Sequence, residues 1–323
     1  MLSIAIPTYR RPQYLAEALE SVAREAANAG VAVEVVVQDN ASGDSTEAVA
    51  TGFPGLSVSY ACNEDNLGPS ENIVRACERC TGDYIFLLGD DDLLEPGSLA
   101  RVNKLNNADP KPGTISGPVT HFVDEANSPT GVVSFQNVSG SDQVFEPGGP
   151  SVEHIFLRAT MLSGLIFRRD LLDAEGARKH ADSLYPQIYL AGVAGKQAGV
   201  AYTDAPIVSV RDNPFAEWSY SGDYMARGVF RILDDLTEGA EWGPGVKKRI
   251  TKRRVRSTYN ALYTSRQSSF GAYAKTVRGL WSVRQYRRSP YFWAMTAAFG
   301  ILGVRGIGML RRVVRMRASN RVG

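Results

Sequence analysis

The composition is that of a globular protein with a full hydrophobic core. The chain has 323 residues, 44% of them hydrophobic, which is enough for one large domain or two modest ones and for an enzyme. Its three cysteines exclude a secreted disulfide framework, and no secretion signal precedes the first predicted strand. We therefore expect a reducing, cytoplasmic environment.

Charge is distributed unevenly along the chain. The net charge is only +2, yet residues 247–323 contain 19 of the 36 Lys and Arg residues and no Asp or Glu. Residues 1–246 hold the other 17 basic side chains against all 34 acidic ones. A tail this basic indicates a negatively charged partner surface.

The first hundred residues alternate between short apolar runs and segments with helical spacing. The runs predict strands at 2–6, 33–37, 56–60 and 84–88, and the intervening segments predict helices that begin at Pro12, near Ser45 and after Gly68. This alternation is typical of an α/β fold with a parallel sheet and right-handed crossovers.

The fourth predicted strand leads into three consecutive carboxylates, Asp90–Asp92, which we call the aspartate cluster. Adjacent carboxylates repel one another unless a cation shares them, and Mg²⁺ or Mn²⁺ prefers oxygen ligands. Ligands of open α/β sheets bind at the carboxyl ends of strands. The position therefore favours a metal site, and a solvated acidic turn before a helix is the alternative.

Another carboxylate, Asp39, ends the second predicted strand. Such a residue can accept hydrogen bonds from a base or a ribose, while a metal at the aspartate cluster neutralises a diphosphate. The chain has no G-x-G-x-x-G after the first strand and no G-x-x-x-x-G-K-[ST] anywhere. The sequence thus predicts a nucleotide-diphosphate pocket in which a divalent metal replaces the glycine-rich loop.

Four segments in order resemble the signature of family 2 glycosyltransferases of the GT-A fold: Ile4–Arg11, Val35–Thr46, Asn63–Gly68 and Gly82–Asp92. The resemblance is close over about residues 1–105 and loose over 106–215. It implies a GT-A-type, Rossmann-like, mostly parallel sheet flanked by helices. It also implies metal-dependent, inverting transfer of a sugar from a nucleotide-diphosphate donor.

The resemblance also implies roles for particular residues. The donor would be bound by Pro7, Thr8, Tyr9, Arg11, Asp39, Asn72, Asp90 and Asp91, and the metal by Asp90 and Asp92. Some of these assignments have a structural alternative: a simple turn for Pro7–Tyr9, a helix cap or local turn for Asp39, and a solvated helix position for Asn72.

Two departures from the family pattern matter for the site. The usual spaced D-x-D is replaced by three consecutive aspartates, so Asp90 with Asp92 and Asp91 with Asp92 both stay open as metal ligands. This form resembles the subgroup that transfers deoxysugars such as abequose or rhamnose in cell-envelope glycans.

The second departure concerns the catalytic base. Family members usually carry a Glu-Asp pair at the start of the acceptor helix, but Tyr185–Gln187 stands there in this chain. The nearest carboxylate, Asp182, is the predicted general base, with a helix cap as the alternative. His154 and His180 are lesser candidates.

Composition changes after about residue 216. We predict a donor-binding half at 1–105, an acceptor-binding half at 106–215 and a helical basic extension at 216–323. Residues 289–304 carry no charge, but 16 residues are fewer than the roughly 20 that a membrane span needs. We expect a helix lying on an anionic membrane surface through 247–323, with a buried helix or an oligomer contact as alternatives.

The sequence as a whole predicts a glycosyltransferase peripheral to the inner face of the cell membrane. It would act on a glycan or polyprenyl-linked acceptor in cell-envelope polysaccharide synthesis, and a homo-oligomer is possible. A nucleotidyltransferase would carry glycine in the loop Pro7–Pro12, which has none. A nucleic-acid-binding protein would use the basic tail but leave the aspartate cluster unexplained. The sugar, the base and the acceptor stay open.

Overall fold

The computed structural model describes residues 1–123, 129–134, 141–158, 161–212 and 222–319. They fall into two compact units. The first contains the described residues within Met1–Glu217 and Arg231–Val246, and the second contains those within Trp218–Phe230 and Lys247–Gly323. The predicted division of the first part into donor and acceptor halves stays a prediction.

The described elements alternate strands and helices before the chain becomes helical. The strands are β1 (Leu2–Thr8), β2 (Val33–Asp39), β3 (Val58–Cys62), β4 (Tyr84–Leu87), β5 (Leu93–Leu94), β6 (Thr114–Ser116), β7 (Val119–Phe122), β8 (Pro129–Ser134), β9 (Gln143–Phe145), β10 (Leu165–Arg168), β11 (Val200–Tyr202) and β12 (Val208–Arg211). The α-helices are α1 (Pro12–Ala29), α2 (Thr46–Thr51), α3 (Pro69–Glu78), α4 (Ser98–Asn106), α5 (Gly149–Arg158), α6 (Ala174–Lys179), α7 (Pro186–Ala198), α8 (Gly222–Thr237), α9 (Gly243–Ser268), α10 (Phe270–Ser282), α11 (Arg284–Arg287) and α12 (Pro290–Ser319).

The main sheet of the first unit has the strand order β3-β2-β1-β4-β10-β6-β11-β9. Strands β1 to β4 are parallel, β10 runs antiparallel between β4 and β6, and β11 pairs with β6 in parallel. The predicted α/β, mostly parallel sheet flanked by helices is confirmed. Because β1, β2 and β4 run in the same direction, the residues after them emerge at one edge of the sheet.

Burial explains why the first strands were readable from the sequence. All four residues of β4 are buried, as are the β1 residues except Pro7, so both faces of these strands are covered. Helix α1 starts at Pro12 and turns Leu15, Leu19 and Val22 towards this core. The packed centre of the sheet fixes where its polar ends lie.

A second, four-stranded sheet has the order β5-β12-β7-β8. Strand β12 pairs with β5 in the antiparallel and with β7 in the parallel direction. Strand β12 therefore belongs to this second sheet and not to the main sheet. Its pairing with β5 brings Arg211 close to the aspartate cluster, which directly precedes β5.

The second unit is helical in its described part. Ser269 caps α10 by accepting a hydrogen bond from the Ala272 N–H. The predicted uncharged segment forms most of the first half of α12, which is interrupted at Gly303, a residue with a positive φ of 62°. Within the described ranges, no helix combines the length and apolar character that crossing a membrane requires.

Candidate active site at the strand ends

Strands β1 and β4 bring the first predicted residues into direct contact. Thr8 ends β1 and donates from Oγ1 to Asp90 Oδ2 over 2.8 Å. The backbone N–H of Tyr9 also donates to the Asp90 carboxylate. Pro7 lies in β1 opposite Gln38 of β2, at the same edge of the sheet.

A cation of the protein itself joins the aspartate cluster. Arg11 Nη1 lies 2.7 Å from Asp91 Oδ2 and 3.3 Å from Asp90 Oδ1. Burial alone would lower the pKa of the Arg11 guanidinium, but the charges of Asp90 and Asp91 outweigh it and raise that pKa. Arg11 therefore stays charged and offsets part of the repulsion between the two carboxylates.

Asp90 and Asp92 are both buried, and their carboxyl groups titrate abnormally. Burial, reinforced by the charge of Asp91, raises the pKa of Asp90 to about 6 and that of Asp92 to about 7. Loss of water disfavours a carboxylate unless a cation or donors replace it. The cluster is thus a place where additional positive charge is stabilising.

Asp92 is held by donors from two distant parts of the chain. Its Oδ1 accepts from the Arg211 backbone N–H at 2.9 Å, and its Oδ2 accepts from the Ser163 hydroxyl. Ser163 Oγ in turn accepts from the Gly89 N–H at 2.8 Å. A Cβ at Gly89 would lie 3.0 Å from Asp92 Oδ2, so a larger residue there would displace the carboxylate.

The side chain of Arg211 is buried beneath the cluster. Its guanidinium carbon lies 4.6 Å from the ring centroids of both Tyr14 and Phe122. Nε donates to the Asp91 carbonyl at 3.2 Å, and Nη2 contacts Glu17 Oε2 at 2.5 Å. Arg211 therefore ties α1, β7 and β12 to the turn that carries the aspartates.

Asp39, at the end of β2, is also buried and hydrogen-bonded. Its Oδ1 accepts from the Ser42 N–H at 3.0 Å and from the Ser42 hydroxyl, while Oδ2 accepts from Tyr60 OH at 2.8 Å. Burial, together with Asp39, raises the pKa of Tyr60 well above its ordinary value, so the phenol stays a donor. The local turn expected as the alternative is present, and Oδ2, which accepts a single hydrogen bond here, can accept another.

Asn72 is part of a buried polar network, so the alternative of a solvated helix position is wrong. Its Nδ2 donates to the Gln38 carbonyl at 2.9 Å and to the Thr8 carbonyl at 3.4 Å. Its Oδ1 accepts from Asn63 Nδ2 at 3.0 Å. Asn72 thus links α3 to the ends of β1 and β2, and its predicted contact with a nucleotide stays a prediction.

The predicted general base lies apart from these contacts. Asp182, in the 3-10 turn Ala181–Ser183, forms an exposed ion pair with Arg231. This turn packs against α3, and α7 begins soon after it at Pro186. None of the contacts described for Asp182 involves the aspartate cluster, and its role as a base stays a prediction.

The two lesser candidates, His180 and His154, are buried, and their roles as a base stay predictions. His180 is buried, contacts Asp235 Oδ2 through Nε2 at 2.9 Å and stacks near Tyr189. His154 lies between the rings of Phe145 and Tyr202, with centroid distances of 4.2 and 4.8 Å.

The aspartate cluster fits a divalent cation in its chemistry. Asp90 and Asp92 offer hard oxygen ligands in a buried, electron-rich position. Among the described residues, no group of three or more His, Cys, Asp or Glu side chains is arranged so that it could hold a metal ion. Mg²⁺ is commonly held by one or two carboxylates together with substrate phosphates, so two protein ligands agree with that mode.

Two residues of the site carried no site role in the sequence prediction. Ser163 precedes β10 and Arg211 ends β12, and they reach Asp92 across 71 and 119 residues of chain. No local signal connects either residue with Asp92.

The first part of the chain is similar to known proteins in sequence. A family model, "Glycosyl transferase family 2", matches residues 3–149. Abequosyltransferase RfbV of Salmonella typhimurium is 36% identical over 106 residues, 31% of each chain. A Campylobacter jejuni protein, GalNAc(5)-diNAcBac-PP-undecaprenol beta-1,3-glucosyltransferase, is 27% identical over 109 residues, 33% of this chain and 34% of its own. The match therefore spans about a third of the length of these curated relatives.

The solved structures extend the likeness in fold to nearly the whole chain. TarS residues 1–349 of S. aureus, in complex with UDP-GlcNAc, superposes with a TM-score of 0.65 at 15% identity. That match covers 98% of this chain and 91% of the TarS chain. At this identity the match supports the fold, and the predicted GT-A architecture is confirmed.

Proposed function

We propose that this chain, whose residues 3–149 match the model of glycosyltransferase family 2, belongs to that family and transfers a sugar from a nucleotide-diphosphate donor. The acceptor is a hydroxyl of a glycan or lipid-linked glycan in cell-envelope polysaccharide synthesis. Two relatives support this class, since one is named an abequosyltransferase and the other a glucosyltransferase of an undecaprenol-linked glycan.

The observation that carries the proposal is the buried aspartate cluster at the shared edge of β1, β2 and β4. Buried Asp90 and Asp92 need positive charge, and Asp39 offers a carboxylate at the end of β2, which lies on the other side of β1. A nucleotide diphosphate accompanied by a divalent cation supplies a base for Asp39 and positive charge for the cluster. A solvated acidic turn does not explain this burial.

In this proposal Asp90 and Asp92 hold Mg²⁺ or Mn²⁺, which when bound offsets the charge of the leaving diphosphate. Thr8 and the Tyr9 N–H orient Asp90, and Ser163 and the Arg211 N–H orient Asp92. These donors fix the direction of both carboxylates before substrate arrives.

The transfer itself requires a base on the acceptor side. We assign this role to Asp182. Its carboxylate would take the proton of the acceptor hydroxyl while the hydroxyl oxygen forms a bond to the anomeric carbon of the donor sugar. The bond from that carbon to the diphosphate oxygen breaks in the same step, with inversion. Because Asp182 is exposed and paired with Arg231, that ion pair has to open for the role.

The basic region 247–323 suits a protein that works beside a membrane. Its 19 Lys and Arg residues and complete lack of acidic ones match an anionic inner membrane surface, where a polyprenyl-linked acceptor would lie. Each such residue near the surface contributes about 1 kcal/mol, so the region is sufficient for peripheral binding.

The direct test is product formation. The purified chain is incubated with UDP-, CDP-, GDP- and dTDP-sugars, Mn²⁺ and a short polyprenyl-diphosphate glycan, and released nucleotide and extended glycan are identified by mass. We expect one donor to give both products and Asp92→Asn to give neither. The proposal would be refuted if the folded protein formed no product from any donor and also bound no nucleotide.

A further inference from the structure

The second unit exposes two tryptophans on either side of one arginine. Trp281, near the end of α10, and Trp293, in the first turn of α12, are 46% and 44% exposed. The Arg287 guanidinium carbon lies 5.8 Å from the Trp281 ring centroid. The Arg287 carbonyl accepts from Trp293 Nε1 at 2.9 Å. We call these three residues the indole cluster.

The hydrogen bond of Trp293 determines what the cluster offers to a partner. Because the indole N–H is already bound within the unit, the exposed part of this ring is essentially apolar. Exposed aromatic surface is unfavourable in water by about 25 cal/mol per Å². The cluster is therefore suited to contact with something less polar than water.

Charge narrows the choice of partner. Arg284, Arg287 and Arg288 are exposed on and beside α11, and no acidic residue occurs anywhere in 247–323. The partner is consequently anionic as well as partly apolar. Tryptophan and arginine together are typical of residues at a bilayer interface, where rings sit at headgroup depth and cations contact phosphates.

Aliphatic exposure favours lipid over nucleic acid. Ile301 and Leu302, just before the interruption of α12 at Gly303, are 82% and 44% exposed. Nucleic acids bind exposed aromatic residues by base stacking, which aliphatic side chains cannot provide. An acyl boundary accepts both kinds of side chain.

We propose that the indole cluster inserts into the headgroup region of an anionic bilayer and anchors the second unit there. This inference rests on the proposed function, because the purpose of the anchoring is to hold the enzyme where a lipid-linked acceptor lies. The binding itself requires neither donor nor metal. Its failure can therefore be distinguished from failure of the transferase proposal.

Co-sedimentation of the full chain with vesicles tests the insertion. Vesicles of phosphatidylcholine alone and with 30% phosphatidylglycerol are compared in 0.1 and 0.5 M NaCl. We expect binding to the anionic vesicles, part of which survives high salt. The double variant Trp281→Ser/Trp293→Ser keeps the net charge, and we expect at least tenfold weaker binding without the salt-resistant part. Val144→Ser, a change at an exposed apolar residue of the first unit, is expected to bind as wild type.

A pair of charge variants separates insertion from general attraction. Arg287→Gln and Arg253→Gln each remove one exposed cation, from the cluster and from α9 respectively. We expect the larger loss from Arg287→Gln, since it also removes the contact with Trp281. Equal losses, or equal binding by wild type and the double tryptophan variant, would overturn the inference.

A spectroscopic measurement on the wild type tests insertion without relying on the folding of the serine variants. Tryptophan fluorescence of the wild type is measured with vesicles containing brominated lipid, which quenches indoles at headgroup and acyl depth. We expect quenching that falls in the conservative variant Trp293→Phe. Absence of quenching, or tight salt-sensitive binding to RNA without vesicle binding, would refute membrane insertion. A nucleotide-induced rise in melting temperature, measured without vesicles, reports separately on the first unit.

Discussion

Removal of the Ser163 hydroxyl tests whether Asp92 is held in place as the structure indicates. Ser163→Ala deletes a donor to the Asp92 carboxylate and an acceptor for the Gly89 N–H, both buried. A hydrogen bond to a charged partner contributes about 1.5–3 kcal/mol and a neutral one about 1 kcal/mol. We therefore expect the variant to lose about 2–4 kcal/mol of unfolding free energy, because neither partner regains water.

The assay is urea unfolding at pH 7.5 in EDTA, followed by circular dichroism and compared through transition midpoints. Ser98→Ala is the matched control, since Ser98 is equally buried but its hydroxyl has no hydrogen-bond partner in the described part of the chain. We expect the control to stay within about 0.5 kcal/mol of wild type. A Ser163→Ala variant as stable as the control would refute the reasoning about Asp92.

Three further variants test other parts of the account. Burial alone would raise the pKa of Glu71, but hydrogen bonds from Arg178 help to lower it below its ordinary value. Arg178→Gln removes those hydrogen bonds. That contribution, about 1 kcal/mol for a pair that is partly exposed to solvent, is present above pH 4.5 and is lost as the pH falls through the lower folded-state pKa of Glu71. The difference in stability from wild type should therefore shrink as the pH is lowered below 4.5. Arg11→Gln leaves the aspartate cluster without the guanidinium that contacts Asp90 and Asp91, and we expect a lower melting temperature. We also expect Mn²⁺ to raise the melting temperature of this variant by more than it raises that of the wild type. If Asp182 is the base, Asp182→Asn lowers kcat at least a hundredfold and leaves the KM for the donor unchanged. Arg231→Gln, which removes the partner of Asp182, does not lower kcat in this way. Equal effects of the two changes would assign Asp182 a structural role.

The fold was predictable where burial imposes a local pattern. Strands β1, β2 and β4 read as apolar runs because both faces of a central parallel strand are covered. Strands β5, β9 and β11 have two or three residues, too few to show any period, and they form because distant partners lie beside them. The insertion of β10 antiparallel between β4 and β6 is likewise set by packing and not by local sequence.

The site shows the same division. The aspartate cluster and Asp39 were predictable because carboxylates that follow parallel strands of one sheet emerge at the same end of that sheet. The roles of Ser163 and Arg211 depend on how β10 and β12 are placed, which no spacing in the sequence encodes. Asn72 was placed near the nucleotide by resemblance, but its burial follows from contacts with β1 and β2.

The most direct measurement is the melting temperature with UDP, CDP, GDP and dTDP, each with and without Mn²⁺. Asp92→Asn is compared with Asp170→Asn, the same change at an exposed residue that follows β10 at the opposite edge of the sheet. A ligand that binds only the folded protein at a hundredfold excess over its Kd adds about 2.7 kcal/mol of stability. We expect one nucleotide to stabilise wild type and Asp170→Asn in a Mn²⁺-dependent way and to leave Asp92→Asn unchanged. Stabilisation by no nucleotide, or equal stabilisation of all three proteins, would contradict the donor site at the aspartate cluster.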